Sequence, residues 1–318
     1  MAKFLVAGGA GFIGSNIVEH LLKKDHFVRV FDNFHSGKEK NLRFTKGLGK
    51  DRFELIRGDI RDKEACNKAT RGMDYISLQA ALRSVPQSMK RPEDYNDVNI
   101  NGILYVLQAA SKNKVKRLVF ASSSSIYGDT DVFPEKEEHL PKLISPYALS
   151  KLTGEYYCRI FSEFFGVETV CLRYFNVFGP RQALDDEYAV VVPKFIHCIL
   201  HDEPPPIFGN GKQSRDFTYI DNVVSANILA ATTPGIKHEI FNVANGKDNS
   251  VLELVATLNK IIGKKIKPKF LDPRSGDVFK TQADIRRIQQ KLGYKSLVNF
   301  EEGLRRTTDY FKSLPANK

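Results

Sequence analysis

Short apolar runs alternate along this chain with stretches in which apolar residues recur at helical spacing. The runs at 3–7, 27–31, 53–56, 75–78, 117–121 and 169–173 are apolar with little polar alternation, the pattern of strands buried on both faces. Residues 13–22 carry apolar positions at helical spacing after the first run. Strand runs alternating with helical stretches predict βαβ units, and hence an α/β fold built on a doubly wound parallel sheet. After Asn176 the pattern loosens, with Pro193, the prolines at 204–206 and the Gly209–Gly211 region punctuating short elements. One more strand is expected at 241–243 and helices at 251–262 and 284–292, forming a smaller C-terminal α/β region. No repeat or linker separates the halves, so they are expected to pack together, with the ligand site in their cleft. The expected division is residues 1–175, with a return around 217–247, for a cofactor, and 176–318 mainly for a substrate.

Between the first run and the first helix lies Gly8-Gly9-Ala10-Gly11-Phe12-Ile13-Gly14. Glycines in a strand-to-helix turn permit a tight bend and a close approach of pyrophosphate, while the helix N-terminus offers free N–H groups and the positive end of its dipole. Asp32 ends the second run, where a carboxylate can accept hydrogen bonds from an adenosine ribose, a choice that favours NAD over NADP. Arg57-Gly58-Asp59-Ile60 follows the third run. Asp59 and Ile60 there could flank the adenine, or Asp59 could cap a helix at 63–69.

The second chemical signal is a serine run, Ser122-Ser123-Ser124-Ser125, placed after an apolar strand and followed by Tyr147 and Lys151. Oxidising an alcohol requires a base for its proton beside the carbon that loses hydride. Lysine at i+4 shares a helix face with the tyrosine, and its charge, added to that of an oxidised nicotinamide, is expected to bring the phenol, which ordinarily titrates near pH 10, towards neutrality. Pro146 suits the first turn of that helix. Tyr147 is therefore the candidate base and Lys151 its tuner, at the C-terminal end of a strand where α/β sheets bind ligands.

Composition adds exclusions. No apolar stretch of the 318 residues reaches membrane-span length, and no signal-peptide-like region precedes the first strand, so a cytosolic location and no membrane partner are expected. Cys66, Cys158, Cys171 and Cys198 lack metal-like spacing and the 7 histidines show no paired ligand pattern, so buried free thiols and no metal site are expected. The formal charge of +11 could suit a diphosphate substrate, but the basic residues are dispersed, as in Lys264-Lys265 and Arg286-Arg287, without the aromatic interleaving of nucleic-acid binders.

Over nearly its whole length the chain resembles the extended short-chain dehydrogenase/reductase family, with its Rossmann fold, and within it the nucleotide-sugar 4-epimerases. The resemblance rests on G-G-A-G-F-I-G, S-S-S-S-I-Y-G-D, S-P-Y-A-L-S-K, R-Y-F-N-V-F-G-P-R (173–181), R-D-F-T-Y-I-D (215–221) and R-S-G-D (274–277). It implies that Ser123 shares the hydrogen bond to the sugar O4 with Tyr147, that Ser124 supports it, and that Lys151 is catalytic. It implies NAD held by Gly8, Gly11, Phe12, Ile13, Gly14, Asp32, Asn33, Asp59, Ile60, Gln79, Ala80, Ala81, Asn99, Tyr147, Lys151 and Phe175. For a UDP-sugar it implies a pocket formed by Arg83, Ser84, Ser123, Tyr147, Asn176, Ala189, Val190, Val191, Ile207, Phe208, Gly209, Arg215, Arg274, Asp277 and Thr281. Two arginines can grip a diphosphate, and Asp277 can take a uridine ribose or support an arginine. Arg215 could instead pair with Asp216 or Asp221. A homodimer through helices at 103–111 and 147–161 is also implied, although Leu104, Leu107 and Leu152 do not decide between core and interface.

Dehydratases and the decarboxylase of this family carry an acidic residue before I-Y-G or V-Y-G, where this chain has only serines. A reversible reaction is expected: hydride leaves C4, the 4-keto sugar turns over, and the hydride returns to its other face. Y-F-N-V-F-G-P-R-Q followed by Tyr188 to Lys194 resembles epimerases of UDP-N-acetylhexosamines, and Thr281 falls where a small residue leaves room for the N-acetyl group. UDP-GlcNAc/UDP-GalNAc and UDP-Glc/UDP-Gal are thus the expected pairs. Arg83 departs from the N-acetyl-specific pattern and keeps a uronate epimerase or decarboxylase as the alternative; it could bind a carboxylate or narrow the pocket. Leu78 replaces a more usual histidine. A non-catalytic NAD-binding scaffold is the remaining alternative, against which stand Ser123, Tyr147 and Lys151 together.

Overall fold

The structure is a computed structural model and describes residues 1–183, 191–273 and 278–314. Its centre is a sheet of 7 strands: β1 (Lys3–Ala7), β2 (Phe27–Asp32), β3 (Phe53–Arg57), β4 (Tyr75–Leu78), β5 (Arg117–Ser123), β6 (Glu168–Tyr174) and β7 (His238–Val243). All neighbours are parallel, in the order β7-β6-β5-β4-β1-β2-β3. The chain winds outward from β1 to β3, crosses back to β4 and winds outward again. This reversal opens a crevice at the C-terminal ends of β1 and β4, the place where doubly wound sheets bind ligands.

The inner strands are apolar on both sides because each side meets helices, whereas the edge strand β3 is only partly buried. Phe4, Val6, Val28, Val30, Val119 and Leu172 join one core with helix α1 (Phe12–Lys23). Leu5, Phe31, Ile76, Leu78, Leu118 and Phe120 join the other with α2 (Lys63–Thr70), α3 (Gly102–Lys112) and α4 (Pro146–Phe164). The first core runs on without a break into α5 (Val191–Leu200), α6 (Ile220–Thr232), α7 (Val251–Ile262) and α8 (Phe300–Ser313). The C-terminal part is therefore packed on one face of the sheet by shared apolar burial rather than tethered to it.

Three short strand pairs shape that region: Val177–Phe178 with Thr218–Tyr219, Ser214–Arg215 with Asn249–Ser250, and Pro206–Phe208 with Lys269–Leu271. Two elements differ usefully from expectation. β5 runs on through Ser123, so the serine run starts inside the strand. The helix expected from residue 284 begins at Arg286, because the Asp284 carboxylate instead accepts the Arg286 N–H at 2.9 Å. All four cysteines are buried and none forms a disulfide. Among the described residues, no helix is long and apolar enough to cross a membrane.

Candidate active site

The glycine turn is packed so closely that side chains have no room in it. Gly8 has φ +80°, and a Cβ there would lie 2.6 Å from the Ala80 nitrogen; a Cβ on Gly14 would lie 2.1 Å from the Gly8 carbonyl oxygen. Gly11 begins α1 with no side-chain cap, and no acidic residue occupies its first turn. The helix thus presents its positive end to the crevice, a fit for a diphosphate. Phe12 and Ile13 flank it, half-buried. At the end of β2, Ala10 and Phe34 each donate a backbone N–H to the Asp32 carboxylate at 2.8 Å. Those two bonds fix Asp32 against the glycine turn and leave further lone pairs for ribose hydroxyls.

Asn33 donates to Asp59 at 2.7 Å, and Arg61 grips the same carboxylate at 2.8 Å and 3.0 Å. Bonds from Arg61 hold Asp59 well below the usual carboxylate range. The helix-cap alternative for Asp59 is overturned: Asp62 caps α2, accepting from the N–H groups of Glu64 and Ala65. Ile60 is buried beside Gly102. On β4's far end, Gln79 and Ala80 donate their N–H groups to the Ala7 carbonyl at 2.8 and 3.0 Å, which brings Gln79, Ala80 and Ala81 to the glycine turn. The Gln79 amide is tied to Ser77, Tyr174 and Asn227. Small residues, an open helix terminus and a braced carboxylate together fit a dinucleotide.

Asn99 and Phe175 act from behind. Asn99 accepts from Leu82 N–H at 2.8 Å and donates to the Leu82 carbonyl at 2.9 Å and to Ser150 at 3.0 Å, so its amide braces the loop after β4. Phe175 is fully buried against Tyr127.

Ser145 caps α4 by accepting the Ala148 N–H, with Pro146 in the first turn, which sets Tyr147 at the mouth of the helix. Close contact between α4 and β5 fixes its distance from the serines: a Cβ on Gly154 would lie 2.5 Å from the Phe120 ring. Ser125 donates both its N–H, at 3.2 Å, and its hydroxyl, at 2.9 Å, to Ser123 Oγ. The Ser123 hydroxyl proton is then not spent on Ser125, and Ser123 acts to lower the Tyr147 phenol. Ser125, rather than the expected Ser124, is the serine braced to Ser123; Ser124 begins the following turn.

Burial raises the Tyr147 phenol above its ordinary range, opposed first by the Ser123 hydrogen bond and then by the charge of Arg83. Lys151 donates Nζ to the Ala121 carbonyl at 2.8 Å and lies 5.8 Å from the centre of the Tyr147 ring. Burial alone brings Lys151 down to about 8.

Below these groups lies a buried pair that sequence reading missed. Arg173 holds Glu155 through bonds of 2.9 and 2.8 Å, and Ser122 donates to Glu155 at 2.6 Å. The available signal was an arginine inside an apolar strand, which requires a buried carboxylate, and Glu155 stands one helical turn beyond Lys151 on the same face.

On the substrate side, Asn176 donates to Thr281 Oγ1 at 3.0 Å, so these two candidates adjoin. Arg215 donates to the carbonyls of Ser214 and Phe279. The salt bridges considered for it meet two facts. Asp216 is buried on the N–H groups of Asn245, Gly246 and Ala283, and Asp221 meets Arg306 at 3.3 Å. Phe208 ends a short strand and Gly209 follows it, both half-exposed, Val191 opens α5, and Ser84 caps a short helix by accepting Gln87 N–H. Ile207 points into the core and is 1% exposed, so it supports the pocket wall instead of lining it. Arg83 is exposed in the loop after β4. Ala189, Val190, Arg274 and Asp277 lie outside the described residues.

Residues 4–244 match the model of the NAD dependent epimerase/dehydratase family. A UDP-N-acetylglucosamine 4-epimerase from Methanobrevibacter ruminantium M1, solved in complex with UDP-N-acetylmuramic acid, superposes with a TM-score of 0.93 at 40% identity over 98% of both chains. The UDP-glucose 4-epimerase of Thermotoga maritima, solved with UDP-glucose, gives 0.91 at 37% identity, again over 98% of both chains. A UDP-glucuronic acid 4-epimerase from Bacillus cereus, in complex with UDP-glucuronic acid and NAD, gives 0.89 at 34% identity over 98% of this chain and 99% of its own.

Proposed function

The chain belongs to the NAD-dependent epimerase/dehydratase family and is an NAD-dependent UDP-sugar 4-epimerase; from that premise we propose that its substrates are UDP-N-acetylhexosamines, interconverted between the gluco and galacto forms. The observation that carries this choice is Thr281, a small side chain bonded to Asn176, at the position where the family resemblance expects a small residue to leave room for an N-acetyl group. The similarity at 40% identity to an enzyme named for UDP-N-acetylglucosamine supports the same choice. UDP-glucose is a secondary substrate.

The Gly8–Gly14 turn and Asp32 would hold NAD, the turn its pyrophosphate and Asp32 its adenosine ribose, and NAD would supply a reversible oxidation at C4. The work of the chain is proton handling and orientation. Tyr147 takes the proton of the sugar O4 hydroxyl and later returns it, while Ser123 donates to the same centre and is kept in line by Ser125. The N-terminal end of α4 favours the phenolate. Positions 122–125 are serines, which offer no carboxylic acid to drive elimination, so the oxidised sugar is reduced again on either face. Arg215, with Arg274, grips the diphosphate.

A second reading, a UDP-glucuronate 4-epimerase, rests on Arg83 near the reacting end of the site. We further propose a homodimer: the outer face of α4 exposes Leu149, Tyr156, Ile160 and Phe164, the last at 70%, at helical spacing, whereas Leu107 of α3 belongs to the core. A sedimentation mass of twice 35.9 kDa is expected, and a monomer would reject it.

Substrate choice is tested by incubating the NAD-loaded protein separately with UDP-GlcNAc, UDP-glucose and UDP-glucuronate and following the anomeric protons by NMR. The C4 epimer of UDP-GlcNAc should form with the highest kcat/KM. Preferential turnover of UDP-glucuronate would overturn the assignment in favour of the second reading.

A further inference from the structure

The segment that carries Thr281 is a ribbon held from two sides. On one side Thr281 donates its N–H to the Ser214 carbonyl at 3.2 Å, and Ala283 donates to the Asp216 carboxylate at 3.3 Å. The N–H groups of Gln282 and Asp284 point the other way, and both end on Glu135. Asp284 donates to the Glu135 carbonyl at 2.8 Å, while Glu135 donates its own N–H to the Gln282 carbonyl at 2.7 Å. This backbone pairing stops at one bridge, between Glu135 and Ala283. The Glu135 carboxyl then supplies the acceptor that a longer strand would have offered, its Oε2 taking the Gln282 N–H at 2.8 Å.

Glu135 lies in the loop between β5 and α4 and is 0% exposed. Asn242 of β7 donates to its carbonyl at 2.9 Å and to that of Asp284 at 3.2 Å, so the central sheet backs the clamp. The second carboxyl oxygen, Oε1, has no hydrogen-bond partner among the described residues. Burying a carboxyl for one bond is costly to the fold. What that bond does is fix the amide next to Thr281. On its far side Thr281 Oγ1 accepts from Asn176 at 3.0 Å and from the Asp216 N–H at 3.4 Å. Releasing Gln282 would therefore let Thr281 move against Asn176.

We infer that Glu135 is a positioning residue for substrate choice: by holding the Gln282 N–H it sets where Thr281 stands, and so the space left for the substituent on C2 of the sugar. This rests on Thr281 facing the N-acetyl group. Glu135 itself touches no substrate and acts through the ribbon.

The experiment compares wild type, Glu135→Gln, Glu135→Met, Glu135→Asp and Thr281→Tyr as NAD-bound enzymes. Glutamine keeps an acceptor at the same reach. Methionine keeps the bulk without the acceptor, and aspartate keeps the carboxyl one methylene short. Two quantities are measured: the ratio of kcat/KM on UDP-GlcNAc to that on UDP-glucose, and hydrogen exchange of the Gln282 amide by mass spectrometry. In Glu135→Met and Glu135→Asp the ratio should fall by about three- to tenfold, the worth of one hydrogen bond. The fall should be carried by the KM for UDP-GlcNAc with kcat on UDP-glucose retained, and Gln282 should exchange faster. Glu135→Gln should keep the wild-type ratio and exchange. If Glu135→Met does not fold, Glu135→Asp carries the comparison. A wild-type ratio in the variants whose Gln282 exchanges faster would overturn the inference. So would an equal loss on both substrates, or a loss in Glu135→Gln as large as in Glu135→Met, either of which would make Glu135 a support of the fold alone. An unchanged ratio in Thr281→Tyr would instead sink the N-acetyl reading of Thr281, and the exchange data would still report whether Glu135 holds the ribbon.

Discussion

Tyr147 is reactive through its neighbours rather than its type. A phenol in the first turn of α4 has a buried lysine 5.8 Å from its ring centre and a serine whose influence opposes the upward push of burial. Replacing it by phenylalanine removes one oxygen and keeps the ring that packs on Tyr95. Tyr147→Phe should therefore lose about a hundredfold to ten-thousandfold in kcat with UDP-sugar affinity retained by calorimetry; unchanged kcat would remove Tyr147 from the mechanism. At this scale sequence spacing singled out the serine run, Tyr147, Lys151, Asp32 and the glycines as candidates, because each depends on a local geometry that spacing encodes, while Ser123 within the run came from the family resemblance. It did not reveal which way Lys151 donates, that Ser125 braces Ser123, or that Asp62 caps α2. Those outcomes depend on hydrogen-bond competition between residues that pattern alone leaves equivalent.

Between elements, two kinds of buried charge hold the site together. The Glu155 and Arg173 pair joins α4 to β6 at 2.8 Å, with Ser122 of β5 as a third member. Removing either partner would strand a charge in the core. The segment bearing Thr281 is held differently. Glu135 accepts the Gln282 N–H at 2.8 Å, and Asp216 accepts that of Ala283 at 3.3 Å. Burial pushes Glu135 up to about 8 from an ordinary 4.5, and Asp216 to about 7. Glu135 Oε1 finds no hydrogen-bond partner among the described residues.

A carboxyl whose folded value is raised stays protonated in the folded chain while the unfolded chain ionises. Stability is accordingly lost as pH rises from about 4.5 to about 8. Glu135→Gln should leave the melting temperature nearly unchanged at pH 5 and raise it relative to wild type at pH 8. A melting-temperature difference that stays constant across that range would contradict the burial assigned to Glu135. Strand and helix periodicity located nearly every element of the sheet, since both faces of its inner strands are apolar. The residues pinning the Thr281 segment were hidden because they lie at sequence separations of 147 and 67.

For the molecule as a whole, the strand order fixes where chemistry can occur. Reversal at β1 and β4 brings the glycine turn, Asp32 and the loop of Gln79 to Arg83 together, while β5 and α4 supply the proton carrier one strand further on. The shared core carries Asn176, Thr281 and Arg215 to the other wall. A Rossmann arrangement with an appended C-terminal region was legible from alternation and motifs. The three short strand pairs that shape that region were not, being too short to show a period. The account requires that C4 be oxidised and reduced within one site, so that the hydrogen leaving C4 is the one that returns. Extending the incubation proposed above to UDP-GlcNAc carrying deuterium at C4 tests this directly. NMR and mass spectrometry should find UDP-GalNAc with the deuterium retained at C4. A C4 epimer that has exchanged its deuterium for solvent hydrogen, or a dehydrated product in its place, would contradict it.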